Sequence, residues 1–198
     1  LRIAKEYEII YCENPTGGEM KSAILSWANL AKSSDDELIL YYSGHGYSRN
    51  DQTYIIPKDV NSQFIEDTAV NLTDLLERLK GSLKTSKVVV IMDACYAGSL
   101  IKDRPLRLKR YEKDTLQMLS SMYAFLLSSK GNQTSRERQG GGGWFTYYLI
   151  KGMQGEANED EDEKITLKEL AEYVMEKVKE ATSGNQTPVL LASADVVI

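Results

Sequence analysis

Three stretches of this 198-residue chain are apolar with no polar break: residues 38–42 (LILYY), 88–92 (VVVIM) and 123–127 (YAFLL). Strands that are apolar on both faces are covered on both sides, as in parallel sheets. Between them the apolar positions recur at helical spacing. Met20, Ile24, Trp27 and Ala31 form one stripe, opened by the capping-box spacing of Thr16 and Glu19. Leu72, Leu75, Leu76 and Leu79 form a second, with Asn71 as cap and Gly81 as stop. Leu167, Leu170, Ala171, Val174 and Val178 form a third within a helix predicted over 166–182, with Thr166 and Glu169 as its capping box. Residues 144–153 predict a buried helix. Residues 7–12 and 188–192 predict short strands, the latter closing the sheet, and residues 53–56 are a shorter apolar piece ended by Pro57. Strands alternating with helices give an α/β fold.

Two stretches interrupt this pattern. Residues 102–113 carry six basic side chains in twelve, and residues 132–143 are polar and end in four glycines. Both read as loops, the second too flexible for a regular element. No internal repeat is present.

Composition narrows the function classes. Apolar residues make up 42% and charged residues 27%, a balance suited to one globular domain with a real core. The net charge of −5 argues against bulk attraction to nucleic acid. No apolar run approaches the roughly 20 residues that span a bilayer, and no leader pattern opens the sequence. The two cysteines, Cys12 and Cys95, make no disulfide framework, which predicts a cytoplasmic setting. Cys12, in a predicted strand, reads as core packing.

The chemistry gathers at two strand ends. His45, the one histidine, lies between Gly44 and Gly46 just past the 38–42 strand. Cys95 lies just past the 88–92 strand, in Met92-Asp93-Ala94-Cys95-Tyr96-Ala97-Gly98. Active sites of open parallel sheets collect at the carboxyl ends of strands. If the two strands are neighbours, spaced about 4.8 Å, imidazole and thiol can meet. The flanking glycines let the chain turn and a substrate approach. A thiol with a pKa of about 8.5 is only a few per cent thiolate at pH 7 and needs a base to activate it. The backbone N–H groups of Gly46 and Cys95 are candidate oxyanion donors. Taken singly, a lone histidine is more often a surface or core residue, and a lone cysteine a small hydrophobe.

The motifs YYSGHG at 41–46 and DACYAG at 93–98, in this order and 50 residues apart, resemble the caspase-like cysteine peptidases. Bacterial caspase homologues and metacaspases are the nearer match. The segments GGWFTYYLIKGMQGEAN, ITLKELAEYV and NQTPVL extend the resemblance over nearly the whole chain. It implies a three-layer α/β/α sandwich around a mostly parallel β-sheet. It also implies Cys95 as nucleophile, His45 as general acid/base and Gly46 as an oxyanion donor. Animal caspases carry glutamine two positions before the cysteine and cleave after aspartate. This chain carries Asp93, as metacaspase-like members do, where the acid lines a pocket for lysine or arginine. Ser43 matches a second pocket position. The competing reading makes Asp93 a cap for the helix after Cys95.

By the same resemblance, 1–101 corresponds to a large-subunit-like part and 114–198 to a small-subunit-like part. The basic 102–113 stretch between them is a candidate self-processing site, or simply a solvated loop. The family's domain begins with a strand and helix ahead of the segment matching 1–12. An activator, a further domain or a separate chain would then supply that strand. The expected partners are protein or peptide substrates, with neither nucleic acid nor membrane. No cofactor is required for the chemistry. Asn158, Asp160, Asp162 and Glu169 fall at positions 1, 3, 5 and 12 of a calcium-binding loop, but Glu163 stands where a glycine turns such loops. A plain acidic surface loop is the competing expectation. A catalytically silent scaffold and a thiol acyltransferase are the alternatives to a peptidase.

Overall fold

The computed structural model describes residues 8–50, 52–94, 123–129, 135–138, 140–160, 162 and 164–191. Helix α1 (Gly17–Ala28) starts at the expected capping box: the Glu19 N–H donates to Thr16 Oγ1, and Glu19 Oε2 accepts from the Thr16 N–H. Strand β1 (Glu37–Gly44) follows, then a hairpin of β2 (Gly46–Arg49) and β3 (Gln52–Ile55). A single helical turn α2 (Ile65–Thr68), a short β4 (Val70–Asn71) and helix α3 (Leu72–Leu79) lead into β5 (Lys87–Ala94). Beyond these come β6 (Tyr123–Leu127), α4 (Trp144–Lys151), a π-helical turn (Gly152–Glu156), α5 (Leu167–Ala181) and β7 (Val189–Leu191).

The main sheet has the order β1-β5-β6-β7, parallel except for β7, which runs antiparallel to β6. Its two faces explain the unbroken apolar runs. Leu38, Val88, Val90, Met92, Phe125 and Leu127 pack with α1 and α3, whereas Val89, Ile91, Ala124 and Leu126 pack with α4 and α5. Helices on both faces of a mostly parallel sheet make the expected α/β/α sandwich. Trp27 buries its ring in the first layer while its Nε1–H donates to the Ile39 carbonyl at 3.0 Å, fixing α1 along β1. Asn71 caps α3 as its sequence predicts, its Oδ1 accepting from the Asp74 N–H.

Three expectations change. Residues 8–12 form no strand: Ile9 and Tyr11 are 79% and 78% exposed, and among the described residues no strand pairs with them. Cys12 is accordingly exposed and does not pack in a core. Helix α4 stops at Lys151 and is only half-buried. Phe145 and Leu149 face the sheet while Ile150 and Met153 face outward, because one covered face is all that a helix on the outside of a sheet has. Gly152 sits tightly on the neighbouring α5, since a Cβ there would lie 2.5 Å from Leu170 Cδ1. The four-glycine stretch is the expected loop, closed as a tight turn: the Arg138 N–H donates to Gly142 O (2.9 Å), the Gly141 N–H to Arg138 O (3.1 Å), and Glu137 pairs with Gly143. Positive φ at Gly140, Gly141 and Gly142 makes that turn possible, where other side chains would be strained.

Candidate functional site

The register of β1 on β5 is the first element of the site. It runs without a bulge from Glu37 opposite Lys87 to Ser43 opposite Asp93 and Gly44 opposite Ala94, always 50 residues apart. His45 is the next residue after β1. Cys95 is the next after β5 and lies outside the described residues, so the parallel ladder leads up to the predicted pair from both strands. Registered residues of a parallel pair share a sheet face. Ser43 and Asp93 thus stand side by side at the carboxyl edge, on the face covered by α4 and α5.

His45 is exposed, and its main chain is anchored. Its carbonyl accepts from the Tyr42 hydroxyl (2.8 Å) and from the Ile56 N–H (3.2 Å), and that N–H also reaches Tyr42 Oη at 3.2 Å. The hydroxyl therefore ties the end of β1 to the residue after β3. Burial pushes the Tyr42 phenol above its ordinary pKa of 10, with the Ile56 backbone contact pulling weakly the other way. This arrangement gives Gly44 a reason that its sequence position did not suggest. Its φ is not in the left-handed region, but a Cβ there would stand 2.6 Å from Tyr42 Oη. Gly44 is glycine so that the tyrosine can pass beneath the histidine. Gly46 opens β2 opposite Ile55, directly after His45.

Asp93 is 7% exposed. Its carboxylate turns to α4: Thr146 Oγ1 donates to Oδ2 at 2.5 Å, and Tyr41 Oη lies 2.7 Å from the same Thr146 oxygen. The segment after Cys95, which the helix-cap reading needs, lies outside the described residues. Ala94, the residue before the predicted nucleophile, is held by Ser128 just past β6. The Ala94 N–H donates to Ser128 Oγ (3.2 Å), and the Ser128 N–H donates to Met92 O (2.8 Å). Behind Ser128, the fully buried Gln186 donates to the Ser128 carbonyl (2.9 Å) and accepts the Arg136 N–H (2.7 Å).

Tyr42, Ser128, Thr146 and Gln186 were not singled out from sequence. Ser128, Thr146 and Gln186 act through a hydroxyl or amide whose partner is 34, 53 and 58 residues away, and no local spacing records such a contact; Tyr42 reaches a carbonyl only three residues on, but from a strand end rather than from a capping pattern. The β2–β3 hairpin was missed for another reason. β3 overlaps the short apolar piece at 53–56, but β2 is short and polar, and the turn signal between them reduces to Asn50, which adopts φ 48°.

The other predicted features separate from this edge. The basic 102–113 stretch lies outside the described residues. In the acidic loop, Glu169 Oε2 accepts from both the N–H and the hydroxyl of Thr166, as a helix cap. Asp160 and Asp162 accept backbone N–H groups of the loop itself. Among the described residues no three His, Cys, Asp or Glu side chains gather around a common point. An open cavity of about 350 Å³ lies at the start of α4, lined by Arg138, Trp144, Tyr147 and Tyr148, with the Arg138 guanidinium 4.0 Å above the Tyr147 ring. No described helix is long and apolar enough to cross a membrane.

Comparison with known proteins agrees with this layout. The family model described as the caspase domain matches residues 2–195. No curated protein matches the chain. Among solved structures, caspase-1 from Spodoptera frugiperda superposes with a TM-score of 0.64 at 15% identity, covering 96% of this chain and 74% of its own. A Geobacter sulfurreducens protein superposes with a TM-score of 0.55 at 17% identity, covering 89% of this chain and 72% of its own. At these identities the two structures speak for the fold, and the family match speaks for the lineage. A mostly parallel sheet with β1 and β5 side by side thus has its counterpart in sequence: the chain belongs to the caspase domain family, whose function is of the cysteine-peptidase type.

Proposed function

We propose that the protein is a cysteine endopeptidase that cleaves protein substrates after arginine or lysine. The supporting observation is the unbroken 50-residue register of β1 on β5, which puts Ser43 beside Asp93 and Gly44 beside Ala94 one residue short of His45 and Cys95.

In this reading His45 takes the Cys95 proton, and the thiolate attacks the carbonyl carbon of the scissile bond. The oxyanion of the tetrahedral intermediate is stabilised by the N–H groups of Gly46 and Cys95. Collapse expels the amine, which takes its proton from the imidazolium and leaves an acyl-enzyme thioester. Water, deprotonated by His45, attacks the thioester. The carboxylic acid product departs and the thiol is restored. The main-chain bonds on the His45 carbonyl hold the imidazole's base in place, and those on Ala94 do the same for the strand end before the nucleophile. Asp93, with Ser43 beside it, takes the basic side chain of the substrate. A charged acceptor in a dry setting gives strong hydrogen bonds to guanidinium or ammonium, and the planar fork of arginine is favoured. The 102–113 stretch offers such an enzyme six basic residues of its own chain, so self-processing there belongs to the same proposal. A cytoplasmic setting, read from two cysteines that make no disulfide framework, belongs to the same proposal.

The test uses the intact protein and Cys95→Ala. Fluorogenic peptides ending in arginine should be cleaved and those ending in aspartate should not. An arginyl chloromethyl ketone should label the wild type alone. Intact mass should show cuts within 102–113 only where Cys95 is present. Cleavage after aspartate would overturn the pocket. Absence of labelling by the ketone would favour the silent scaffold, and labelling without peptide hydrolysis would favour an acyltransferase.

A further inference from the structure

The Asp93 carboxylate is nearly dry, and the hydroxyl held against it comes from outside both sequence motifs. Proton counting fixes the direction of the contacts. An ionised carboxylate only accepts, so Thr146 spends its single proton on Asp93 Oδ2. The 2.7 Å contact between Tyr41 Oη and Thr146 Oγ1 must then carry the tyrosine's proton. The result is a one-way chain from Tyr41 to Thr146 to Asp93. Tyr41 stands on β1, two residues before Ser43 and on the same face, and is 43% exposed. Backbone from α4 closes on the same oxygen: a Cβ added to Gly143 would lie 2.5 Å from Asp93 Oδ2. Gly143 has φ −76° and ψ 147°, so its backbone would accept alanine, and the close approach to the carboxylate is what requires glycine.

We propose that Thr146, itself held by Tyr41, is the positioning and specificity-determining residue of the basic-side-chain pocket, fixing the Asp93 carboxylate through Oδ2 so that its remaining lone pairs meet the substrate's guanidinium or ammonium. This rests on the pocket role given to Asp93 above. A carboxylate with no such donor can rotate about its last torsion, which is broad for aspartate. A cation arriving at the pocket would then have to order that carboxylate on binding, a cost that preorganisation avoids. The Thr146 hydroxyl touches Asp93 rather than the reacting atoms, so its loss should weaken binding of basic side chains and leave the Cys95–His45 chemistry alone.

The experiment is carried out in a Cys12→Ser background, because Cys12 is exposed and would react with thiol reagents. Steady-state kinetics on an arginine-terminated peptide are paired with alkylation of Cys95 by iodoacetamide, which needs no basic pocket. Thr146→Val removes a hydrogen bond to a charged group and should raise KM about 10- to 100-fold. The turnover number and the iodoacetamide rate should stay within about twofold, and Thr146→Ser should recover most of the lost KM. Tyr41→Phe, at a half-exposed position that tolerates change, should raise KM about threefold by leaving Thr146 without its donor. Gly143→Ala, which displaces the carboxylate sterically, should mimic Thr146→Val. An unchanged KM in Thr146→Val and Tyr41→Phe, with arginine preference lost in Asp93→Asn, would overturn the proposal and leave the pocket standing. Arginine preference that survives Asp93→Asn would instead remove the pocket. Equal losses in KM, turnover and iodoacetamide rate would mark Thr146 as merely structural and also overturn the proposal.

Discussion

Alanine at Gly44 should destabilise the protein through Tyr42, and removing the tyrosine hydroxyl should recover part of the loss. A Cβ at this position lies 2.6 Å from Tyr42 Oη, about 0.8 Å inside the 3.4 Å at which ordinary contact begins. The hydroxyl must retreat by that amount. Its 2.8 Å bond to the His45 carbonyl then stretches out of hydrogen-bonding range. Overpacking costs about 1–3 kcal/mol and the lost bond about 1 kcal/mol, so Gly44→Ala should cost about 2–4 kcal/mol in all. For a chain of this length that lowers Tm by roughly 5–15 °C. Tyr42→Phe alone should cost about 1 kcal/mol, because the Ile56 N–H keeps the His45 carbonyl as its acceptor. In the double variant the oxygen is gone, but Tyr42 Cζ still lies 2.9 Å from the new methyl, so relief is partial. The cycle should show a favourable coupling of about 1–2 kcal/mol. Urea unfolding of the four proteins, in a Cys95→Ala background that prevents self-digestion, measures each term. Costs that add to within about 0.5 kcal/mol would refute the claim that Gly44 exists to admit Tyr42.

Two further outcomes concern the charged surface. Glu156 accepts the Tyr173 hydroxyl at 2.6 Å and pairs with Lys151 at 2.9 Å, and these contacts, the tyrosine's first, hold its carboxyl below the ordinary 4.5. A depressed folded-state pKa stabilises above the unfolded value, and that gain is lost as pH falls through the folded value. Glu156→Gln should therefore flatten the fall of stability below about pH 4.5 and leave its slope near neutrality unchanged, as read from urea midpoints across pH. In the acidic loop, Glu169 is engaged in capping α5, so calorimetric titration with calcium should give no saturable heat. A saturable heat that Asp160→Asn abolishes would return calcium to the loop.

The layers were legible because each depends on a periodicity that survives folding. Runs such as Val88 to Met92 could only be covered on both faces, and the stripes of α1, α3 and α5 each offered one face to cover them. Capping boxes located two helix starts to the residue, since the box is a contact between side chain and backbone three residues apart. The failures share a cause as well. The apolar residues Ile9 to Cys12 suggested a strand, but a strand exists only by pairing, and pairing is not a property of the segment. The apolar helix α4 read as buried because sequence reports how much of a helix could be covered, not how many neighbours it will find.

At the site, sequence supplied the residues that could do chemistry and structure supplied the ones that hold them. The 50-residue interval from His45 to Cys95 is also the offset of the β1–β5 ladder, from Glu37–Lys87 onward. A motif spacing is therefore a sheet register seen from its last rung. It would change only if an insertion between the strands left the ladder intact, which is why two short motifs in a fixed order carry so much of the inference. The holding groups follow no such rule. Tyr42 reaches the His45 carbonyl, Ser128 the Ala94 N–H, and Thr146 the Asp93 carboxylate, each across the carboxyl edge from a different element. They converge on His45, Ala94 and Asp93, the positions beside or within the motifs from which the proposed base, nucleophile and pocket are built. The edge of the sheet is thus fixed by hydroxyl groups from β1, from the residues just past β6 and from α4, and the proposed chemistry depends on these three elements staying docked.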